Sequence, residues 1–359
     1  MPDQRRPAAL RWRIAEEEEQ SRLFPDDAVV ERHVGRGEYA GMEFLHVNAR
    51  TIVNRVPEAS RVPFRHTINA YRGCAHACVY CFARPTHEYL GLDMGEDFER
   101  RIVVKINAVE RLDAELRSPR WRGDRIAMGT NTDPYQKAEG KYHLTRGIVR
   151  VLGEHANAFS ILTKSTLVLR DLELLVAAAR QTDVRVNLSI GTLDREVWRL
   201  TEPGTPPPNK RLDAVRRLND AGIACGVLVA PVIPGLSDSE EQLRAVAAGC
   251  AAAGAVSVSA VALHLRRGTR EHYLGWLARE RPDLVGLYRG RFGRAAYQPE
   301  AEQARITRIV RDAYEAAGGG RPVLEAGSWR WSGVVPQPGP DRTAHANVPR
   351  PGPEQLSFG

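Results

Sequence analysis

The sequence predicts an α/β fold of repeated β–α units, of the size of a partial (β/α)6 TIM-type barrel with N- and C-terminal extensions. Short apolar runs recur between residues 67 and 263, and most of them end in polar residues. Helical patterns of apolar residues separate these runs. Such repeats favour right-handed crossovers and a parallel sheet covered by helices. An open, doubly wound sheet is the alternative, because periodicity alone does not distinguish the two.

The repeats can be placed residue by residue. The predicted strands cover residues 67–71, 125–129, 159–162, 184–190, 223–230 and 256–263. Predicted helices cover residues 143–156, 172–180, 212–221 and 238–253. Asp171 and Asp194 precede apolar helical patterns and are predicted N-caps, and Gly222 is predicted to end a helix.

The segments outside the repeats differ in composition and suggest four regions. Residues 1–60 form a predicted N-terminal extension with a charged run, Glu16–Glu19. Residues 61–265 form the barrel core, and residues 266–334 form a C-terminal extension with helical patterns at 270–281 and 301–316. Residues 335–359 are rich in Pro, Gly and polar residues, which predicts a disordered tail.

Composition and charge narrow the class of protein. With 43% hydrophobic and 26% charged residues, the chain has the composition of a soluble globular protein. It contains no apolar run of the roughly 20 residues that a membrane span needs. The N-terminus is charged where a secretory signal would be apolar, so we expect a cytoplasmic protein.

The formal net charge of +7 allows a polyanionic partner without requiring one. Two arginine clusters, at residues 266–270 and 289–294, are candidates for a phosphate-binding patch. An ordinary solvated surface is the alternative for both clusters.

Three of the five cysteines, Cys74, Cys78 and Cys81, have the spacing C-x3-C-x2-C. An odd number of cysteines, three of them close together in the sequence, argues against a disulfide framework. Cysteine thiolates are suitable ligands for zinc or for an iron–sulfur cluster. A structural zinc would require a fourth ligand, for which His76 or His87 is the nearest choice. A [4Fe–4S] cluster held by three cysteines would leave one iron open to another ligand.

This motif, with Tyr80 before the last cysteine, resembles the signature of the radical S-adenosylmethionine (SAM) superfamily. The resemblance implies that the three cysteines hold a [4Fe–4S] cluster and that SAM chelates the fourth iron. It also implies reductive cleavage of SAM to a 5′-deoxyadenosyl radical, which abstracts hydrogen from a substrate. The partial barrel is the fold of that family, and a flavodoxin or ferredoxin-type reductant is the implied partner.

Polar residues at the strand ends resemble the spore photoproduct lyase branch of that superfamily. The residue types in segment 130–136 are also typical of a turn. A turn without a ligand-binding role is therefore the alternative. Glu202-Pro-Gly and Arg211 also resemble the branch, without an assigned role. Across residues 67–265, the resemblance implies SAM-binding positions at Tyr80, Asn131, Thr132, Asp133, Lys164 and Ser189.

One departure from the branch concerns its hydrogen donor. Thr130 stands where the lyase has a cysteine, and the O–H bond of threonine is too strong to donate hydrogen readily. Cys225 and Cys250 lie in apolar segments and are poor substitutes. We therefore do not expect thymine-dimer repair, and the substrate stays unassigned, with nucleic acid as one candidate.

Two other functions are compatible with the residues. The first is a zinc-binding, nucleic-acid-binding module without enzymatic activity. The second is a cluster used only for electron transfer, which leaves the polar strand ends without a purpose. Metal content separates the zinc module from the enzyme, since the enzyme contains iron and acid-labile sulfide.

Overall fold

The computed structural model describes residues 29–57, 60, 62 and 64–320. Its strands are β1 (Val29–Val34), β2 (Glu43–Val47), β3 (Val53–Arg55), β4 (His66–Ile68), β5 (Tyr71–Arg72), β6 (Arg101–Lys105), β7 (Ile126–Met128), β8 (Phe159–Thr163), β9 (Val184–Ser189), β10 (Ala224–Val232) and β11 (Val258–Ala262).

The α-helices lie mainly between or after these strands. They are α1 (Glu96–Arg100), α2 (Ala108–Leu116), α3 (Glu139–Tyr142), α4 (Leu144–Glu154), α5 (Leu172–Ala179), α6 (Arg195–Thr201), α7 (Pro208–Asp220), α8 (Glu240–Ala252), α9 (Thr269–Glu280), α10 (Val285–Phe292) and α11 (Glu300–Ala316). Short 3-10 helices cover Gly37–Tyr39, Arg84–Leu90, Thr166–Asp171 and Pro282–Leu284.

A seven-stranded sheet with the order β11-β10-β9-β8-β7-β4-β3 forms the centre of the fold. Neighbouring strands from β4 to β11 in this sheet pair in parallel, in chain order, and β3 pairs antiparallel at the edge. The prediction of an α/β fold with a parallel sheet is confirmed. A second sheet, β1-β2-β6-β5, joins strands from the N-terminal segment to strands that flank the cysteine motif.

Burial on both faces explains why the central strands have apolar runs. Ile161 in β8 and Val186 in β9 are register partners, and both are fully buried. Helix α4 packs against this core with Ile148, Val149 and Leu152, which occupy one face at helical spacing. Covering a parallel sheet with helices in this way buries apolar side chains from both layers.

One predicted helix cap is confirmed and one is wrong. Asp194 accepts hydrogen bonds from the backbone N–H groups of Glu196 and Val197 at the start of α6. Asp171 precedes α5 but makes no capping bond. Its carboxylate instead pairs with the guanidinium groups of Arg146 and Arg170, at 2.9 and 2.8 Å. A charged partner from another element therefore outcompetes the local backbone at Asp171.

The described part of the C-terminal extension packs against the cysteine motif. Cys78, Val79 and Tyr80 belong to the same hydrophobic cluster as side chains from α9 and α10. Helix α11 packs on α8 and β11. Within the described residues, no helix is both long and apolar enough to span a membrane. The predicted tail at 335–359 lies outside the described residues.

We expect Leu277→Ala in α9 to lower the free energy of unfolding by about 2–5 kcal/mol, because its side chain is fully buried. The variant should also retain less iron after reconstitution, since Leu277 shares its cluster with Cys78 and Tyr80. Urea denaturation and iron content per chain measure the two effects.

Leu287→Ala in α10 is the matched control, because that leucine is 37% exposed. It should cost less than about 1 kcal/mol. Equal losses for the two variants would contradict the packing of α9 against the cysteine motif.

Candidate active site

The loop Gly73–Cys81, here called the cysteine loop, begins directly after β5. Gly73 has a φ of +77°, and a Cβ there would lie 2.7 Å from the carbonyl oxygen of Phe98. Only glycine meets both conditions, because it accepts positive φ and has no Cβ. Cys74 N–H then donates to the same carbonyl of Phe98 at 2.9 Å, which fixes where the loop starts.

Backbone contacts also hold the cysteine loop on its other side. Val79 N–H donates to the carbonyl of Thr201 at 3.1 Å, and Gly204 N–H donates to the carbonyl of His76 at 3.1 Å. A Cβ at Gly204 would lie 2.1 Å from the carbonyl oxygen of Ala75. The Glu202-Pro-Gly204 segment therefore requires its glycine because it packs directly on the loop.

At least one pair of sulfur atoms in the loop is spaced more widely than the sulfurs of a zinc site. A tetrahedral zinc site with zinc–sulfur bonds of about 2.3 Å holds its sulfurs about 3.8 Å apart. Among the described residues, only Glu31, His33 and His46 form a group of three such ligand atoms all within 4.8 Å of one another. At least two of the three sulfurs are thus farther apart, as is expected where each thiolate binds a different iron of one cluster.

Burial makes these thiols poor acids without a bound cation. It raises the pKa of Cys78 to about 12, with the Glu202 carboxylate as the next cause, and it raises the pKa of Cys74 and Cys81 as well. Metal binding would have to release these protons. Cys225 and Cys250 lie in the core of β10 and α8, so neither reaches the site.

Neither histidine proposed as a zinc ligand completes the site. His76 Nδ1 lies 3.3 Å from a carboxylate oxygen of Asp133. His87 Nε2 lies 3.0 Å from the backbone carbonyl oxygen of Arg101. Neither forms a compact ligand group with the three cysteines.

Arg84 is a fully buried cation behind the cysteine loop. Its Nε and Nη2 donate to the carbonyl of Cys78 at 3.1 and 2.9 Å, and Nη2 lies 2.5 Å from the Glu99 carboxylate. The guanidinium therefore fixes the backbone at the middle cysteine and places positive charge near the thiols. No motif in the sequence pointed to Arg84.

Thr132 and Gln136, which follow β7, hold the start of the cysteine loop. The Thr132 hydroxyl donates to the carbonyl of Gly73 at 2.7 Å, and Gln136 Nε2 donates to the same oxygen at 2.8 Å. The Gln136 carbonyl accepts from Ala75 N–H at 3.0 Å. Gln136 is fully buried. In the sequence, the only signal for its role was its position in the polar segment 130–136.

Asp133 accepts four hydrogen bonds or close polar contacts, which is about the capacity of a carboxylate. The donors are the hydroxyl of Thr163 at 2.6 Å, Lys164 N–H at 2.7 Å, Tyr135 N–H at 2.9 Å and His76 Nδ1 at 3.3 Å. Burial alone would raise the pKa of Asp133, but His76 and these donors outweigh burial and lower it. Asp133 thus joins the ends of β7 and β8 to the cysteine loop.

Lys164 and Ser189 come together where β8, β9 and β10 end. Lys164 Nζ donates to the Ser189 hydroxyl at 2.7 Å, and to the Glu202 carboxylate and the Ala230 carbonyl, both at 3.1 Å. The Ser189 hydroxyl donates to the same Ala230 carbonyl at 2.9 Å. Carboxyl ends of parallel strands are the usual place for a site in such folds.

Glu202 is the buried anion that joins this cation to the cysteine loop. It accepts from Arg211 Nη2 at 2.5 Å and from the hydroxyl of Tyr80, in addition to Lys164. Burial would raise its pKa, but the charges of Arg211 and Lys164 outweigh burial and lower the pKa of Glu202 to about 2. The carboxylate is therefore ionised at neutral pH. In the sequence, the only signal at Glu202 and Arg211 was their resemblance to the spore photoproduct lyase branch.

The structure thus brings most of the predicted site residues into one connected region. Asn131 makes no hydrogen bond within the described part of the chain, and it is partly exposed beside Thr132. Thr130, which the resemblance aligns with the lyase cysteine, is also partly exposed. Both follow Gly129, where a Cβ would lie 1.9 Å from the carbonyl oxygen of Leu162.

The comparisons with known proteins agree with this arrangement. The family model of the radical SAM superfamily matches residues 68–246, which include the cysteine loop and the ends of β7 to β10. The chain belongs to the radical SAM superfamily. Members use a [4Fe–4S] cluster and SAM, and the chain is an enzyme of the radical SAM type.

Its relatives include uncharacterised proteins. One from Mycobacterium tuberculosis is 46% identical over 295 residues, which are 81% of this chain and 86% of the relative. Another, from Methanocaldococcus jannaschii, is 31% identical over 201 residues, which are 55% of this chain and 71% of the relative.

Solved structures of spore photoproduct lyase share the fold. A complex of that lyase with dinucleoside spore photoproduct has a TM-score of 0.57 at 19% identity, covering 75% of this chain and 78% of the lyase. A mutant lyase with bound AdoMet and the same ligand has a TM-score of 0.52 at 18% identity, covering 72% and 75%. At this identity the likeness establishes the mixed α/β fold with its parallel sheet.

We expect Glu202→Gln to lower the free energy of unfolding by about 3–5 kcal/mol at pH 7, because Lys164 and Arg211 would lose their shared buried counter-charge. The ordinary pKa of the carboxyl is 4.5, and folding lowers it to about 2. Its stabilisation is therefore complete above about pH 4.5 and disappears as the pH falls towards 2. Urea denaturation between pH 2.5 and 7 measures the difference between wild type and variant.

Glu196→Gln, on the exposed surface of α6, is the matched control and should leave stability within about 0.5 kcal/mol of wild type. A wild-type advantage over Glu202→Gln that stays constant down to pH 2.5 would refute an ionised Glu202.

Proposed function

We propose that Cys74, Cys78 and Cys81 hold the [4Fe–4S] cluster of this radical SAM enzyme, and that the parallel strands form a partial (β/α)6 barrel around the SAM site. When bound, the cluster supplies the electron that cleaves SAM to methionine and a 5′-deoxyadenosyl radical, which takes hydrogen from the substrate. The observation that carries this proposal is one fixed loop with two buried cysteines and one half-buried cysteine, whose three sulfur atoms do not all lie within 4.8 Å of one another and have no fourth ligand grouped with them among the described residues.

The surroundings of the loop suit an anionic, thiolate-bound cluster. Arg84 donates twice to the carbonyl of Cys78, and the charge of Lys164 lowers the cost of ionising Cys78 and Cys81. The apolar side chains that pack with Cys78, Val79 and Tyr80 shield this part of the loop from water. A dry site with fixed positive charge strengthens the electrostatic interactions that control cluster potential.

The predicted SAM positions take different roles in this proposal. Asn131 contacts SAM directly, because its amide has no other hydrogen bond within the described chain. Lys164 and Ser189 present polar groups at the strand ends beside the Ala230 carbonyl. Thr132 and Asp133 mainly hold the cysteine loop in place. Thr132 bonds the Gly73 carbonyl, and Asp133 bonds Lys164 N–H at the end of β8, both at 2.7 Å.

Tyr80 has a comparable positioning role within the cofactor site. Its hydroxyl donates to Glu202, and its ring lies 5.5 Å from Lys164 Nζ. The ring therefore keeps the ammonium group next to the loop while the carboxylate neutralises it.

A radical SAM enzyme needs a reductant and a substrate. We propose a flavodoxin or ferredoxin-type reductant and a cytoplasmic location, where reducing conditions keep the thiols available. Nucleic acid is the candidate substrate, supported by the net charge of +7 and by the fold shared with spore photoproduct lyase. Thr130 replaces the lyase cysteine, so the reaction proposed is not thymine-dimer repair.

The decisive measurement is SAM cleavage by anaerobically reconstituted protein. With iron, sulfide, dithionite and SAM, wild type should form 5′-deoxyadenosine, and Cys78→Ala should lose at least about 100-fold of that rate because one iron loses its thiolate. Iron, sulfide and 5′-deoxyadenosine per chain are the quantities to measure.

Cys250→Ala is the matched control, since it also removes a buried thiol but lies in α8, away from the loop. It should retain the cluster and the wild-type rate. One tightly bound zinc per wild-type chain, with no 5′-deoxyadenosine, would overturn the proposal and favour the zinc-binding module.

A further inference from the structure

An aromatic and basic surface adjoins the cysteine loop and has no part in the site described so far. It consists of Phe82, His264 and Tyr297 together with Arg266, Arg267 and Arg294, each of which lies within three residues of His264 or Tyr297 in the chain, and is called here the aromatic–arginine surface. Phe82 is the residue after Cys81, and His264 follows β11. The surface therefore lies at the same carboxyl edge of the sheet as Lys164 and Ser189.

The three aromatic rings form a row. The Phe82 and His264 ring centroids are 6.2 Å apart, and those of His264 and Tyr297 are 5.5 Å apart. The Arg266 guanidinium lies 5.7 Å from the Tyr297 ring centroid, and its Nε lies 3.1 Å from the Tyr297 hydroxyl. Phe82 ends the row and is 54% exposed, although nearby Tyr80 and Ala83 are buried. An exposed ring beside a catalytic loop offers a face for stacking.

His264 contributes a polar atom with no partner. Its Nδ1 is buried and makes no hydrogen bond, a costly arrangement in the absence of a ligand. Burial and the nearby Arg266 charge lower the pKa of His264 to about 4. The ring is therefore neutral at pH 7, and its Nδ1 can either donate or accept one hydrogen bond, according to the tautomer.

The fold joins the two arginine clusters noted in the sequence. Arg270 Nη1 donates to the carbonyl of Ala295 at 2.8 Å, and Leu265 N–H donates to the carbonyl of Ala296 at 2.7 Å. These bonds place residues 293–297 alongside residues 264–270. Arg267 and Arg294 are exposed and make no ion pair within the described residues. They are free to contact an external anion.

The chain also holds this surface against the cysteine loop. A Cβ at Gly268 would lie 2.8 Å from Pro85 Cγ, so the start of α9 touches the segment that follows the loop. Leu263 and Leu265, on either side of His264, share a hydrophobic cluster with Cys78 and Tyr80.

We propose that the aromatic–arginine surface binds a nucleotide unit of the substrate, with the base stacked on Phe82 and hydrogen-bonded to His264, and the phosphate beside Arg267 and Arg294. Base stacking on an exposed ring next to basic side chains is the usual chemistry of single-strand recognition. A free nucleotide also has a base and a phosphate that could bind in this way. The proposal deepens the proposed function and rests on it, because it assigns a substrate to the adjoining radical site.

Binding measurements on full-length, cluster-containing protein test this inference. The probes are a fluorescein-labelled 12-nucleotide single strand, as DNA and as RNA, followed by fluorescence anisotropy. A mixture of the four deoxynucleoside monophosphates serves as competitor. The variants are Phe82→Leu, His264→Ala and Arg267→Gln, compared at equal iron and sulfide content. Phe82→Leu keeps an apolar side chain but removes the stacking face.

We expect Phe82→Leu and His264→Ala each to weaken strand binding about tenfold. Arg267→Gln should reduce the slope of log affinity against log salt concentration by about 0.7, the value for one phosphate contact to a single strand. Arg180→Gln, an exposed arginine after α5, makes the same charge change and should alter neither quantity. Competition by monophosphates at micromolar concentration would identify a free nucleotide as the source of the unit, and its absence would identify a strand.

Wild-type affinity in all three variants would overturn the inference, as would failure of every probe to bind wild type. His264 and Arg267 adjoin no cysteine, so their variants decide the matter even if Phe82→Leu disturbs the cluster. Failure of the proposed function is a separate result, because it would show as absence of 5′-deoxyadenosine from wild type without any nucleic acid.

Discussion

The buried carboxylate of Glu202 is the interaction on which the site depends. It compensates the charges of Lys164 and Arg211 and accepts the hydroxyl of Tyr80. One group thereby connects the ends of β8 and β9, helix α7 and the cysteine loop. A buried ion pair is stable only when every charge has a partner, so each of these elements constrains the others. Arg211 Nη1 extends the network to the carbonyl of Ser189 at 2.9 Å.

A second set of bonds holds the loop from the other side. Thr132 and Gln136 both bond the Gly73 carbonyl, and Asp133 links His76 to the backbone of Lys164. Two independent anchors leave the loop little freedom, so the entropy of ordering it is lost on folding rather than on cofactor binding. That arrangement suits a cofactor whose three ligands must meet different irons of one cluster.

The C-terminal extension belongs to the site rather than following it. Its apolar side chains share a cluster with Cys78 and Tyr80, and its Tyr297 lies between His264 and Arg266. The parallel-sheet core would supply the radical chemistry, whereas the extension supplies the surface that we propose for the substrate. Because the extension packs on the cysteine loop, the proposed substrate surface would be physically linked to the environment of the three thiols.

By itself, the sequence determined the parallel β–α repeat, the cysteine motif and the polar strand ends, because burial periodicity and ligand spacing are local properties. The N-cap at Asp194 followed from the same local logic. The cap expected at Asp171 did not form, since its carboxylate binds Arg146 from α4 and the adjacent Arg170. Only the tertiary structure decided that Glu202, Arg211, Arg84 and Gln136 support the cysteine loop. It also joined the arginine clusters at residues 266–270 and 289–294. Apart from the contact of Arg84 with Cys78, these roles come from contacts between segments distant in sequence, which no local pattern records.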